Sequence, residues 1–362
     1  MTGSTVVDPA WPFWAEEPTS DGGGPVWVAA DESGSTGENL TDLQGVFAHA
    51  SVRIDDEDAR HVLAELRERA GATQAPEAKF SQFAKTRGGL EVLAAALAPG
   101  GSLAGRVVIT VADKHFLIVS KMIDLLVEEE AHEQGIDLYA DGIARDMAVT
   151  LFTDGPRDLG EFWEPLNKAF VSLARATQRG VGEKETVASF FDRLEHARRR
   201  CRRRSGRSVE SLLQILLATR VHADALVRSA VPRGSGLYPG LDPLVTMLPM
   251  TLWHAYNDHG PVRFLHDEQK LLTSEFARDF FPRLWNVHPD LANHVPPVRV
   301  AEFWTGNSRR HSSIQLADLA ASAGRVTFEA VLGKSSVQAG VLADAVAPLI
   351  REGVTADLQR RV

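Results

Sequence analysis

The chain has 362 residues, 44% hydrophobic and 24% charged, which is the composition of a folded globular protein and excludes a disordered polar tail. Its 39 Lys and Arg against 48 Asp and Glu give a formal charge of −9, which excludes a generally DNA-coating basic protein. The total leaves room for a nucleic-acid enzyme, because phosphate is met by a local patch and not by the sum.

Residues 1–25, with Trp11, Trp14 and the run Gly22-Gly23-Gly24, read as an N-terminal arm. A first strand is expected at Val26–Ala30, ending at Asp31-Glu32-Ser33-Gly34, and a second from about Gln44 to Ile54, where Val46, Ala48, Ala50 and Val52 alternate. Asp55 to Asp58 open a helix that runs to Arg69, since acids in a first turn suit the helix dipole. After a looser stretch with Pro76 to Phe80, a helix covers about Thr86–Leu97, and Arg106–Ala112 is a β-branched strand closed by Asp113-Lys114. From Phe116 to Ala230 the chain reads as helical. Strands return at Val262–Leu265, directly before His266-Asp267, and at Val298–Trp304. The helix Ser312–Ala320 follows, then one more over about Ser336–Arg351. The expected organisation is an arm (1–25), a mixed sheet flanked by helices (26–326) with a helical insertion at about 116–255, and a C-terminal helical extension (327–362).

The position of the acids carries the chemistry. Asp31, Asp113 and Asp267 each follow an apolar strand, and Asp318 interrupts the apolar helix face of Leu316, Ala317, Leu319 and Ala320. Carboxylates at strand ends gather at one rim of a sheet, where Mg²⁺ or Mn²⁺ finds the several oxygens it needs. Two such ions activate a water and stabilise the leaving oxygen of a phosphodiester. An Asp after a strand is also a common turn or N-cap residue. Asp318 is harder to explain that way, because a carboxylate on an apolar face needs a partner or a cleft. Glu32 points away from Asp31 if the strand continues, and ranks below it.

Read together, several short segments resemble the DUF3800 family, a largely bacterial and phage group assigned to an RNase H-like fold. Ala30-Asp31-Glu32-Ser33-Gly34 resembles its opening D-E-S-G, Phe47-Ala48-His49-Ala50 its second strand, and Glu77-Ala78-Lys79 its E-x-K. Val111-Ala112-Asp113-Lys114 resembles its strand-terminal D-K, and Gln315-Leu316-Ala317-Asp318-Leu319 its Q-x-A-D-L helix. The resemblance spans about residues 26–326. It implies an RNase H-like α/β fold in which Asp31, Asp267 and Asp318 meet at a metal site, with Glu77 as a fourth ligand. Lys79 would then neutralise a scissile phosphate. By fold analogy the expected activity is metal-dependent phosphodiester hydrolysis of DNA or RNA.

Outside those motifs, Arg198, Arg199, Arg200, Arg202, Arg203, Arg204 and Arg207 crowd into ten residues of an acidic chain. Guanidinium forks suit a phosphate backbone, and a solvated helix end is the alternative. The histidines from His254 to His311 show no H-E-x-x-H or H-x-H spacing, which argues against a zinc hydrolase, although His266 and His311 lie close to the acids in sequence. Gln315 and Lys114 enter as secondary candidates through their motifs. P-loop, G-x-G-x-x-G and G-x-S-x-G signatures are absent.

The single Cys201 excludes an internal disulfide and a cysteine-built zinc cage. No apolar run reaches the roughly 20 residues of a membrane helix, and MTGSTVVDPAWPFW lacks the features of a secretory signal. A soluble, cytoplasmic protein with no membrane partner is expected. Three functional classes stand: a metal-dependent nuclease, a non-catalytic nucleic-acid- or partner-binding component of a defence or mobile-element system, and a hydrolase of a small phosphorylated molecule.

Overall fold

A computed structural model of the chain describes residues 25–35, 37–42, 45–72, 76–138, 142–175, 185–202, 207–229, 240–273, 276–277, 280–281, 298 and 300–356. The arm at 1–24 and Arg203 and Arg204 lie outside the described residues, as do the side chains of Arg202 and Arg207.

Among the described residues, six strands form one mixed sheet in the order β5-β4-β1-β2-β3-β6: β1 Val26–Ser33, β2 Val46–Arg53, β3 Val107–Asp113, β4 Val262–Asp267, β5 Val300–Gly306 and β6 Ile350–Val354. β2 is antiparallel to β1, whereas β4 runs parallel to β1 and β5 parallel to β4. Strand β2, expected to alternate as if half-buried, is buried along all but its last residue. The helix Ser312–Val331 packs on it and Thr251 of the helix Pro243–His259 bonds His49, and the polar members His49 and Ser51 are buried as well.

Two compact units divide the chain. In the first, residues 1–34, 46–111 and 247–352, the helix Ser312–Val331 packs on β1 and β2. The helix Asp56–Arg69 packs against that helix, capped by the Asp55 side chain taking the Asp58 N–H at 2.8 Å. The helix Arg87–Leu97 is capped in the same way by Thr86. The second unit, residues 35–45, 112–246 and 353–362, is helical, and its core includes Phe116, Phe170, Phe190 and Leu213.

The C-terminal segment differs from expectation. The helix expected over Ser336–Arg351 ends at Val346, a 3₁₀ turn with Pro348 follows, and Ile350–Val354 adds β6 beside β3. Proline cannot continue the i→i−4 ladder, and the short Ile350–Val354 segment gains its strand form at a sheet edge beside β3.

Candidate active site

Next to β1 the strand order reverses: β2 lies on one side and β4 on the other. In open α/β sheets the crevice at the carboxyl ends of strands beside such a reversal is where ligands bind. β1 and β4 are paired there in parallel register, up to Ala30 opposite His266. Asp31 and Asp267 come one residue later on their two strands, so they project from the same face. Ala29, Leu265 and Ile314 of the Ser312 helix pack together on that face.

Strand and helix then keep step. Ala29 to Asp31 to Ser33 advances about 6.6 Å per pair of residues, and Ile314 to Asp318 to Ser322 advances about 6 Å per four. Ile314 lies against Ala29, and Ser322 Oγ is 3.1 Å from Ser33 Oγ. Asp318 is thereby carried beside Asp31. Arg325, one further turn along, donates from Nε to Ser33 Oγ at 3.1 Å.

Gly34 closes β1 with φ +85°, and a Cβ there would stand 2.2 Å from the Val46 carbonyl oxygen. Only glycine fits both the left-handed backbone and that approach.

A short loop completes the cluster. Gln315 Oε1 accepts from the Ala78 N–H at 2.8 Å, while Gln315 Nε2 donates to the Ser308 carbonyl at 2.6 Å. Ser308 in turn donates its N–H to Asp267 Oδ1 at 3.1 Å and its hydroxyl to Glu77 Oε1 at 2.6 Å. Lys79 Nζ lies 2.7 Å from Glu77 Oε1 and 3.7 Å from Asp318 Oδ2, and Arg309 Nε lies 3.8 Å from Glu77 Oε2. Asp31, Asp267, Asp318, Glu77, Lys79 and Gln315 therefore belong to one neighbourhood.

Its electrostatics follow from burial. Asp31, 5% exposed, has its carboxyl pushed well above the ordinary range, first by burial and then by the Glu32, Asp318 and Asp267 carboxylates. Burial also raises Asp318, with Lys79 opposing, and Asp267, against the N–H bonds from Ser308 and Glu268. For Glu77, burial pushes upward but is outweighed by hydrogen bonds from Lys79 and Ser308, so the carboxyl sits below its usual value. Burial would lower Lys79, yet Glu77, Asp318 and Asp31 hold its ammonium above the normal range. Perturbed acids gathered at the carboxyl ends of neighbouring strands make this cluster the candidate functional site.

All the donors here are hard oxygens, which suits Mg²⁺ or Mn²⁺ and not a soft metal. Like charges that raise one another's pKa are relieved by a cation, and this is the observation in favour of a fit. Among the described residues no three His, Cys, Asp or Glu side chains already stand in an arrangement ready to hold an ion. The positive charge between Glu77 and Asp318 is the Lys79 ammonium.

Other candidates have different surroundings. Glu32, paired in register with His49, faces the opposite side of the sheet from Asp31. Asp113 caps the helix Lys114–Met122, accepting from the His115 N–H at 2.9 Å. Lys114 is wholly buried, with both oxygens of Asp42 at 3.1 Å. His311 precedes the Ser312 helix without capping it through its side chain, and its ring fills the space beside Gly306. Arg198 and Arg199 both bond Glu195 at 2.8 to 3.0 Å, which holds that carboxyl down at about 2. Arg200 is half-buried on the same helix.

Ser308 is the residue that sequence reasoning misses. It joins Asp267, Glu77 and Gln315, yet it works through its backbone as much as its hydroxyl, and nothing in Asn307-Ser308-Arg309 advertises that. Its position after β5 and before the Asp318 helix is the only available signal. Comparison with protein-family models, with curated proteins and with solved structures finds no match for this chain.

Proposed function

We propose that the protein is a metal-dependent phosphodiesterase of RNase H-like fold, acting as a nuclease on DNA or RNA. The observation that carries this reading is the convergence of Asp31, Asp267 and Asp318 from β1, β4 and the Ser312 helix onto one face of the sheet, where burial and mutual repulsion leave their charge in need of a cation. Asp31, Asp267 and Asp318 would hold Mg²⁺ or Mn²⁺, and Glu77 would complete the oxygen set. When bound, such ions polarise a phosphodiester and make a water nucleophilic at neutral pH. Lys79, between Glu77 and Asp318, would turn its ammonium to a phosphate oxygen. Ser308 and Gln315 would fix Asp267 and the Glu77 loop. The arginines from Arg198 to Arg207 would hold the nucleic-acid backbone. The segments resembling DUF3800 include five of these residues, Asp31, Glu77, Lys79, Gln315 and Asp318, which supports the same reading.

Cleavage of labelled DNA and RNA with Mn²⁺ or Mg²⁺ tests this. Asp31→Asn and Asp318→Asn are expected to remove metal-dependent cleavage while circular dichroism stays that of the parent protein. Undiminished cleavage by both variants, or by the parent in excess EDTA, would refute the mechanism.

The Lys79 ammonium favours a second reading, in which the carboxylates are neutralised internally and the protein binds nucleic acid or a partner without cutting. In that case Mn²⁺ would leave the melting temperature unmoved, and Lys79→Ala would lower it.

A further inference from the structure

On the other face of the sheet a second polar set is sealed from solvent. The register pairs Ala30 with His266 and Glu32 with His49, so both imidazoles point away from Asp31. His49, His266 and Thr251 are all 0% exposed. Thr251 Oγ1 is 2.6 Å from His49 Nδ1, His49 Nε2 is 2.9 Å from His266 Nε2, and His266 Nδ1 is 2.8 Å from the Asp267 carbonyl oxygen. The ring planes are 15° from parallel with centroids 5.0 Å apart, so the rings meet edge to edge through their Nε2 atoms.

A carbonyl oxygen only accepts, so His266 carries a proton on Nδ1. An uncharged His266 then offers a lone pair at Nε2, which obliges His49 to donate from its own Nε2. That leaves His49 Nδ1 to accept from the Thr251 hydroxyl. For two uncharged rings this is the one assignment in which all three of these hydrogen bonds join a donor to an acceptor, with Thr110 Oγ1, 3.1 Å from Thr251 Oγ1, then on the donor side of that hydroxyl. Both rings are wholly enclosed, and burial away from water disfavours the imidazolium form. Glu32 Oε2, at 3.9 Å from His266 Nε2, is too far to take the proton in a hydrogen bond.

Asp267 is therefore gripped at two points: its carbonyl by His266 from behind the sheet, and its carboxylate by the Ser308 N–H in front. We infer that His266, held in its Nδ1–H form by His49 and Thr251, is a positioning residue for Asp267. The chain of donors runs one way, Thr251 to His49 to His266 to the Asp267 carbonyl, and it ends on the residue that presents the carboxylate. The positioning role rests on the reading that Asp267 binds metal; the proton assignment does not.

Two measurements on the full chain separate these. Long-range ¹H–¹⁵N correlation of histidine-labelled protein at pH 7 is expected to show both rings neutral, His266 protonated at Nδ1 and His49 at Nε2. An imidazolium or the opposite tautomer at either ring would overturn the inference, and this arm needs no variant. In the second arm Mn²⁺ is titrated and bound ion is read by electron paramagnetic resonance. Thr251→Val, which keeps the shape and loses the donor, is expected to weaken binding about 10-fold, and Thr251→Ser to restore it. Equal Mn²⁺ affinity in parent and Thr251→Val overturns the positioning role. A parent protein that binds no Mn²⁺ overturns the metal reading and the positioning role together, with the tautomers still decided by the first arm.

Discussion

Asp31 shows what the site asks of a single residue. Its carboxyl titrates above the unfolded value of about 3.9, so between those two values the folded state binds more protons than the unfolded state. Folding stability therefore falls as pH rises through that window, and above it the buried charge is a fixed cost. In EDTA, Asp31→Asn should raise the melting temperature at pH 7 by about 2–4 °C for each kcal/mol of charge burial relieved, and the gain should shrink towards pH 4. Melts at both pH values decide this, and a variant less stable than the parent at pH 7 would contradict it. Ser308→Ala is expected to weaken metal activation about 10-fold by freeing Glu77, while the N–H to Asp267 remains. Asp31, Asp267 and Asp318 were legible because strand ends and an apolar helix are recognisable settings for an out-of-place acid. Asp113 occupies the same setting, yet its carboxylate caps the next helix, and the two roles share one sequence signature.

At the level of elements, the site depends on the Ser312 helix keeping pace with β1. Gln315 ties that helix to the Glu77 loop on one side and the Ser308 turn on the other. Gln315→Ala would strand a buried N–H and a carbonyl, and a loss of about 1–3 kcal/mol in urea unfolding is expected. Gly34→Ala meets both a left-handed backbone and the Val46 carbonyl, for an expected loss of about 2–4 kcal/mol. The first five strands were readable, β2 from its alternation, β3 from its β-branched run and the others as short apolar runs. β6 was not, because Ile350–Val354 is too short to show a period and owes its strand form to the free edge of β3. The Glu77 loop was visible only through its motif, since its place is set by hydrogen bonds from residues more than 200 positions away.

Across the whole molecule the −9 charge separates into unlike parts. Carboxylates converge in the sheet unit, and Arg198, Arg199 and Arg200 belong to the helical unit. Arg198 and Arg199 already share Glu195, so phosphate would have to compete with that carboxylate. If the run grips nucleic acid, Arg199→Ala with Arg200→Ala should flatten the dependence of log affinity on log salt by about 0.9 for each phosphate no longer neutralised. An unchanged slope in a filter-binding series would remove the run from the interface. No helix among the described residues is long and apolar enough to cross a membrane.

Strand β1 carries different chemistry on its two sides: Asp31 towards the acidic crevice and, one residue later, Glu32 towards the buried histidines. The strand's length is thus as constrained as its composition. A one-residue deletion between Val26 and Ala30 would keep every downstream side chain yet turn Asp31 towards His266 and Glu32 into the crevice. In a library of random changes this segment should accept swaps among small apolar residues and reject every insertion or deletion.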